Sequence, residues 1–233
     1  MNSFTFNGQN SAEYGIHISG EGTFNSPELD TTSYSIPGRN GDLVISNGRY
    51  KNVTVTYPAF IISNFKANAE ALRAWLLSPQ GYCRLEDSYH PDMYRMARFS
   101  GPLDFNMHFL NRSGECEISF NCKPQRFLLS GETAVEVESG DEIANPTLFD
   151  ALPQIKVYGT GNGALTVGET TVALNGINEF VVLDCDLQNA YKNTLNQNCI
   201  MTGSFPKLKP GNNIITWTGA ITKVEITPRW WTL

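Results

Sequence analysis

Only one stretch of this chain repeats its apolar residues with the period of a helix. Phe65, Ala69, Leu72 and Leu76 fall at i, i+4, i+7 and i+11, a stripe along one helical face. Ser63 or Asn64 can cap its start. Ser78-Pro79 stops it, because proline drives the preceding residue out of helical conformation. The stripe is read as core, packed on a sheet. Elsewhere the period is two: Val53, Val55 and Tyr57 alternate with Asn52, Thr54 and Thr56, and residues 103–109 and 116–122 alternate strictly. A chain with one helix and many half-buried strands buries its apolar faces mainly sheet against sheet. The fold class expected is mainly β.

Turn residues divide the strands. Asn7-Gly8 is a turn signal, and the Pro-Gly-Arg-Asn-Gly-Asp run at 37–42 is a loop. Asn47-Gly48 is expected to turn a hairpin between 43–45 and 50–62, and 111–114 to loop between two alternating strands. From Gln154 the strands read short and even: 155–158, 164–167, 170–174, 180–183, 200–204, 214–217 and 224–227. Turns are expected between them at 159–163, 175–176 and 210–212, the pattern of an all-β sandwich. Residues 123–132 read as a link, giving domains 1–132 and 133–233.

Composition removes several function classes. Charged residues make up 17% of the 233, and the net charge is −6 with scattered positives. Binding a nucleic-acid backbone needs clustered Lys and Arg, so no such partner is expected. The five cysteines form no CxxC or CxxH pair, so zinc is not expected. Cys116 and Cys122 sit on one strand, too far apart to bond to each other. Five reduced thiols imply assembly in a reducing cytoplasm. Residues 1–20 lack a positive start and an apolar core, and no apolar run is long enough to cross a membrane as a helix.

Residues 81–95 concentrate polar chemistry. Arg84, Glu86, Asp87, His90, Asp92 and Arg95 are interleaved with Tyr82, Tyr89 and Tyr94. Catalysis would need a nucleophile, a base and an electrophilic stabiliser in mutual geometry. The run Asp-Ser-Tyr-His-Pro-Asp at 87–92 fits an Asx-type turn better. His90 with Asp87 and Asp92 matches no metal-ligand spacing. His17 and His108 lie inside strand patterns and read as structural. No GxSxG, P-loop or GxGxxG is present, and Gly159–Gly163 reads as a hairpin turn. No catalytic, metal-binding or cofactor-binding residue is assigned, and no enzyme is expected. Of the tryptophans, Trp217 reads as core, and Trp230-Trp231 as core or interface rather than sugar platforms.

Several segments together resemble one family. They are Phe-Thr-Phe-Asn-Gly at 4–8 with Tyr-Gly-Ile at 14–16, Ile-Pro-Gly-Arg-Asn-Gly-Asp-Leu at 36–43, and Ala-Leu-Arg-Ala-Trp-Leu at 71–76. Gly-Tyr-Cys-Arg-Leu-Glu-Asp at 81–87, Lys-Pro-Gln-Arg-Phe at 123–127, Asn-Pro-Thr at 145–147, Pro-Gln-Ile-Lys-Val-Tyr-Gly at 153–159 and Pro-Arg-Trp-Trp at 228–231 continue the series. Their order resembles the distal tail proteins of long-tailed, non-contractile phages, over essentially the whole chain. The resemblance implies an N-terminal β-sandwich-like ring domain with one helix and a protruding β-hairpin, then a galectin-like β-sandwich projecting outward. It implies a structural virion protein at the tail tip, assembled in the host cytoplasm as a homo-hexameric ring. The ring would join the tail tube protein to a tail-associated lysin or hub protein, and could anchor receptor-binding proteins. Arg84, Glu86, Asp87, Tyr89, His90 and Arg95 are then expected at the contact between subunits, since Tyr and Arg are enriched at interfaces. The alternative is a cell-wall carbohydrate-binding module using Trp230 or the second sandwich.

Overall fold

A computed structural model describes residues 1–20, 23–108 and 112–233; Phe109 and Asn111, expected in a strand and a loop, lie outside them. The chain is mainly β, with a single α-helix among the described residues. It divides into two compact units, Met1–Arg126 with Leu233, and Phe127–Thr232.

The first unit holds β1 (Phe4–Phe6), β2 (Gln9–Asn10), β3 (Ile16–Ile18), β4 (Leu29–Tyr34), β5 (Leu43–Tyr50) and β6 (Val53–Ile61). After them come α1 (Phe65–Leu77), β7 (Cys83–Asp87), β8 (Met93–Phe99), β9 (Phe105–His108) and most of β10 (Ser113–Leu128). The main sheet runs β2-β1-β7-β8-β10-β6-β3, with β9 against β10. Alternation decides which side turns inward. Along β6, Val53, Val55, Tyr57, Ala59 and Ile61 are buried; along β10, Cys116, Ile118, Phe120 and Cys122 are. Rings from strands well apart in this order meet: Phe4 of β1 lies 5.6 Å from Tyr57 of β6 and 5.5 Å from Phe120 of β10. The sheet therefore curls over and packs on itself around one core.

The helix lies where the stripe predicts, and Phe65, Ala69, Leu72 and Leu76 are all buried. Trp75 joins them, stacked on Phe4 at 5.5 Å and on Tyr14 at 4.6 Å. Neither expected cap residue caps by its side chain. Asn64 occupies the cap position at φ 49 with no side-chain bond, and Asn68 Nδ2 donates to Ser63 O at 3.0 Å instead.

The Asn47-Gly48 hairpin does not form. β5 runs through both residues and pairs with β4, and the chain reverses over residues 35–42. Pairing skips from Thr31↔Ser46 to Leu29↔Tyr50, so residues 47–49 bulge, and Gly48 at φ 69 supplies the left-handed backbone this needs. An Asn-Gly pair serves a bulge as well as a turn; length of pairing on either side decides between them.

The second unit contains β11 (Val135–Val137), β12 (Glu142–Asn145), β13 (Gln154–Val167), β14 (Thr170–Asp184) and β15 (Asn189–Lys192). It continues with β16 (Leu195–Asn196), β17 (Met201–Thr202), β18 (Gly211–Thr227) and β19 (Trp231–Thr232). The sheet order is β11-β18-β13-β14-β15-β16, with β12 on β18 and β17 on β14. Here six of the seven short strands expected from the sequence fuse in pairs, into β13, β14 and β18, so β14 also runs through the turn expected at 175–176. Gly159–Gly163 is no hairpin turn but an irregular stretch inside β13, with register shifts against both β14 and β18. A Cβ on Gly159 would lie 2.2 Å from Ala220 O, and one on Gly163 2.9 Å from Thr218 O. Glycine lets the backbones approach this closely where the ribbon bends. Ile155 and Val157 before the bend and Leu165 and Val167 after it reach one core.

Candidate functional site

Two hairpins of the first unit behave oppositely, and one of them carries the candidate residues singled out in the sequence. The polar one, β7–β8 with its turn, lies inside the main sheet: β7 pairs with β1 on one side and β8 on the other. Asp87 organises its turn. Its Oδ1 accepts from the backbone N–H groups of Tyr89 and His90, both at 2.9 Å, and lies 3.2 Å from His90 Nδ1. Its Oδ2 accepts from the buried Tyr57 hydroxyl at 2.7 Å. This is the Asx-type turn read from the sequence. Burial pushes the Tyr57 hydroxyl well above the ordinary tyrosine range, reinforced by the Asp87 charge, so it remains a donor.

Tyr89 folds back onto the N-terminal segment. Its ring fills the space at Gly20, where a Cβ would sit 2.2 Å from it. Its hydroxyl donates to Ile18 O at 3.3 Å and accepts from Asn2 Nδ2 at 2.7 Å. Arg95 points to the core side of β8 and is only 8% exposed. Arg84 and Glu86 pair with each other, and the Arg84 guanidinium lies 4.0 Å above the Tyr94 ring. The structure thus brings Asp87, His90 and Arg95 to one cleft with Tyr57, Leu85, Met93, Tyr94 and Arg126. Arg84 and Glu86 sit apart from it, with side chains 38% exposed. His17 meets Phe60 and His108 pairs with Glu115, remote from His90 in sequence and in partners. Among the described residues no group of three His, Cys, Asp or Glu side chains could hold a metal ion.

The apolar hairpin is β4–β5. It forms a two-stranded sheet of its own, and none of its residues belongs to either core. Leu43, Val44 and Ile45 are 44%, 58% and 48% exposed, and Tyr34 and Ile36 are exposed beside them. Ion pairs hold its base: Arg49 Nε lies 2.6 Å from Asp30 Oδ2, and Lys51 Nζ lies 3.0 Å from Glu28 Oε1. A lone two-stranded hairpin is marginal in water, and an apolar one with open edges is a template for another chain. In the sequence this element is masked by the turn chemistry of Asn47-Gly48, through which β5 runs. The signal was the 37–42 loop, with Tyr34 and Ile36 before it and Leu43, Val44 and Ile45 after it.

In the second unit Trp230 is 5% exposed and belongs to the core, so it has no face to offer a sugar. Trp231 stacks on Phe149 at 4.5 Å, and its indole N–H donates to Asp150 O at 2.9 Å. Asp184 and Arg229 form a bidentate pair at 2.8 and 2.9 Å. Burial alone would raise the Asp184 carboxyl. The Arg229 guanidinium and the N–H groups of Leu187 and Asp186 outweigh it and hold the carboxyl below its usual range.

No family model matches the chain, and no curated protein matches it in sequence. Solved structures do match. The Dit protein of phage SPP1 aligns over 100% of both chains with a TM-score of 0.80 at 13% identity. This chain has that protein's fold. The Dit protein is described as a paradigm of the hub adsorption apparatus of phages infecting Gram-positive bacteria. A chain of the phage p2 baseplate in its activated conformation with strontium aligns over 97% of both chains, with a TM-score of 0.51 at 9% identity. At these identities the likeness speaks for the fold alone.

Proposed function

We propose that this chain is a structural, non-enzymatic component of a phage tail tip: a hexameric ring at the distal end of a long non-contractile tail. The ring would sit between the tail tube protein and the hub or tail-associated lysin, and would carry receptor-binding proteins. The observation that supports this most is the end-to-end correspondence with the SPP1 Dit fold, covering both units rather than one common sandwich. The β4–β5 hairpin supports it independently. A closed ring needs heterologous contacts, in which one surface of each copy meets a different surface of the next. An arm with exposed Leu43, Val44 and Ile45 and no core of its own suits one side of such a contact. Met1–Arg126 would then be the ring-forming unit, and Arg84 and Glu86, partly exposed on the polar hairpin, would lie where a neighbour can reach them.

Electron microscopy of the purified full chain tests the reading. Six-fold rings at high concentration are expected. A chain that stays monomeric at every concentration overturns it. The carbohydrate-module alternative loses its main candidate with the burial of Trp230.

A further inference from the structure

Four buried polar atoms without a hydrogen-bond partner belong to residues that line a single cleft: Arg95 Nη1 and Nη2, Arg126 Nε and His90 Nε2. The three guanidinium atoms are donors, and unpaired buried donors around one cleft indicate a missing acceptor. Arg95 is more than nine-tenths buried. Burial pulls its pKa down and the neighbouring Arg126 charge adds to this, while Asp87 acts in the other direction.

Among the described residues lining the cleft, the charges do not cancel. Arg95 and Arg126 bring two positive charges and Asp87 one negative. Asp87 makes no hydrogen bond to either Nη of Arg95, and its oxygens serve Tyr57, Tyr89 and His90 instead. The other polar groups near Arg95 are neutral. Burial raises the Tyr57 hydroxyl and pushes the Cys122 thiol up to about 12. Arg126 is held in place from outside the cleft, its Nη2 donating to Asn25 O at 3.1 Å and to Thr23 O at 3.4 Å. The Phe24 ring packs edge-on against His90 at 4.9 Å. The cleft is partly open to solvent, and the space at its floor is about that of one water molecule.

We propose that this cleft is a binding site for one small monovalent inorganic anion of chloride size, held between Arg95 and Arg126 and bordered by His90. One excess positive charge and room for one small particle select that class. A phosphate or sulfate does not fit that floor and is too highly charged, and a water would leave the charge unbalanced. The inference rests on the cleft itself and does not require the ring.

The full chain tests it in two ways. In crystals grown from bromide, an anomalous peak is expected between Arg95 and Arg126. A water there, or a side chain from another copy, overturns the proposal. By calorimetry, sodium chloride should raise the first unit's melting temperature by about 2–4 °C over sodium gluconate of equal ionic strength, saturating with concentration. Arg95→Met, which keeps the aliphatic volume and removes the charge, should abolish that increment. An equal increment in Arg95→Met, or none in the unaltered protein, overturns the site. If Arg95→Met does not fold, the bromide crystal and the chloride–gluconate comparison on the unaltered chain still decide.

Discussion

The two hairpins of the first unit invert the usual link between polarity and exposure. The β7–β8 turn is rich in charge, yet much of it is spent inward: Asp87 serves Tyr57, Tyr89 and His90, and Arg95 faces the core side. The β4–β5 hairpin is rich in apolar residues, yet leaves them in solvent. A charged turn can be a structural knot, because one carboxylate gathers several donors that would otherwise be unpaired. An apolar strand can be a binding arm, because its free edges and side chains have no partner in their own chain. Function is better sought where the chain fails to satisfy itself than where it is most polar.

Substitutions should separate the two hairpins. The largest effect is expected from Val44→Asp combined with Ile45→Asp: ring assembly is lost by sedimentation, while stability in urea stays within about 0.5 kcal/mol because neither side chain is in a core. Asp87→Ala should do the reverse. It strands the Tyr57 hydroxyl, two backbone N–H groups and His90, and should cost about 2–4 kcal/mol of the first unit's stability, read as a lower urea midpoint.

The buried pair of the second unit tests the same principle of internal satisfaction. Arg229→Met should cost about 2 kcal/mol, less than a fully buried pair because Arg229 is partly exposed. Acid sharpens this. The folded Asp184 carboxyl lies below its unfolded value, so its stabilisation is present at neutral pH and is lost as pH falls through the lowered pKa. Without Arg229, the acid unfolding midpoint of this unit should move to higher pH. The smallest effect is expected from Tyr89→Phe, about 1 kcal/mol, through loss of the contacts to Asn2 and Ile18.

Local periodicity was enough for much of the fold. The α1 stripe, the alternation in β6 and β10 and the Asx-type turn at Asp87 were all legible, because each depends on residues near in sequence. Pairing was not. Asn47-Gly48 and Gly159–Gly163 carry turn chemistry, and only the partner strand shows that they bulge or bend a continuing ribbon. The burial of Arg95 was hidden as well. Its position on β8 places it on the same side as Ala97 and Phe99, but a charge so close to a turn reads naturally as surface.

The central claim is that the exposed apolar arm builds a ring. Native mass spectrometry of the full chain, beside the Val44→Asp, Ile45→Asp variant, tests it most directly. The account predicts a hexamer for the unaltered chain and a folded monomer for the variant. A monomer for both, or a hexamer for both, would contradict it.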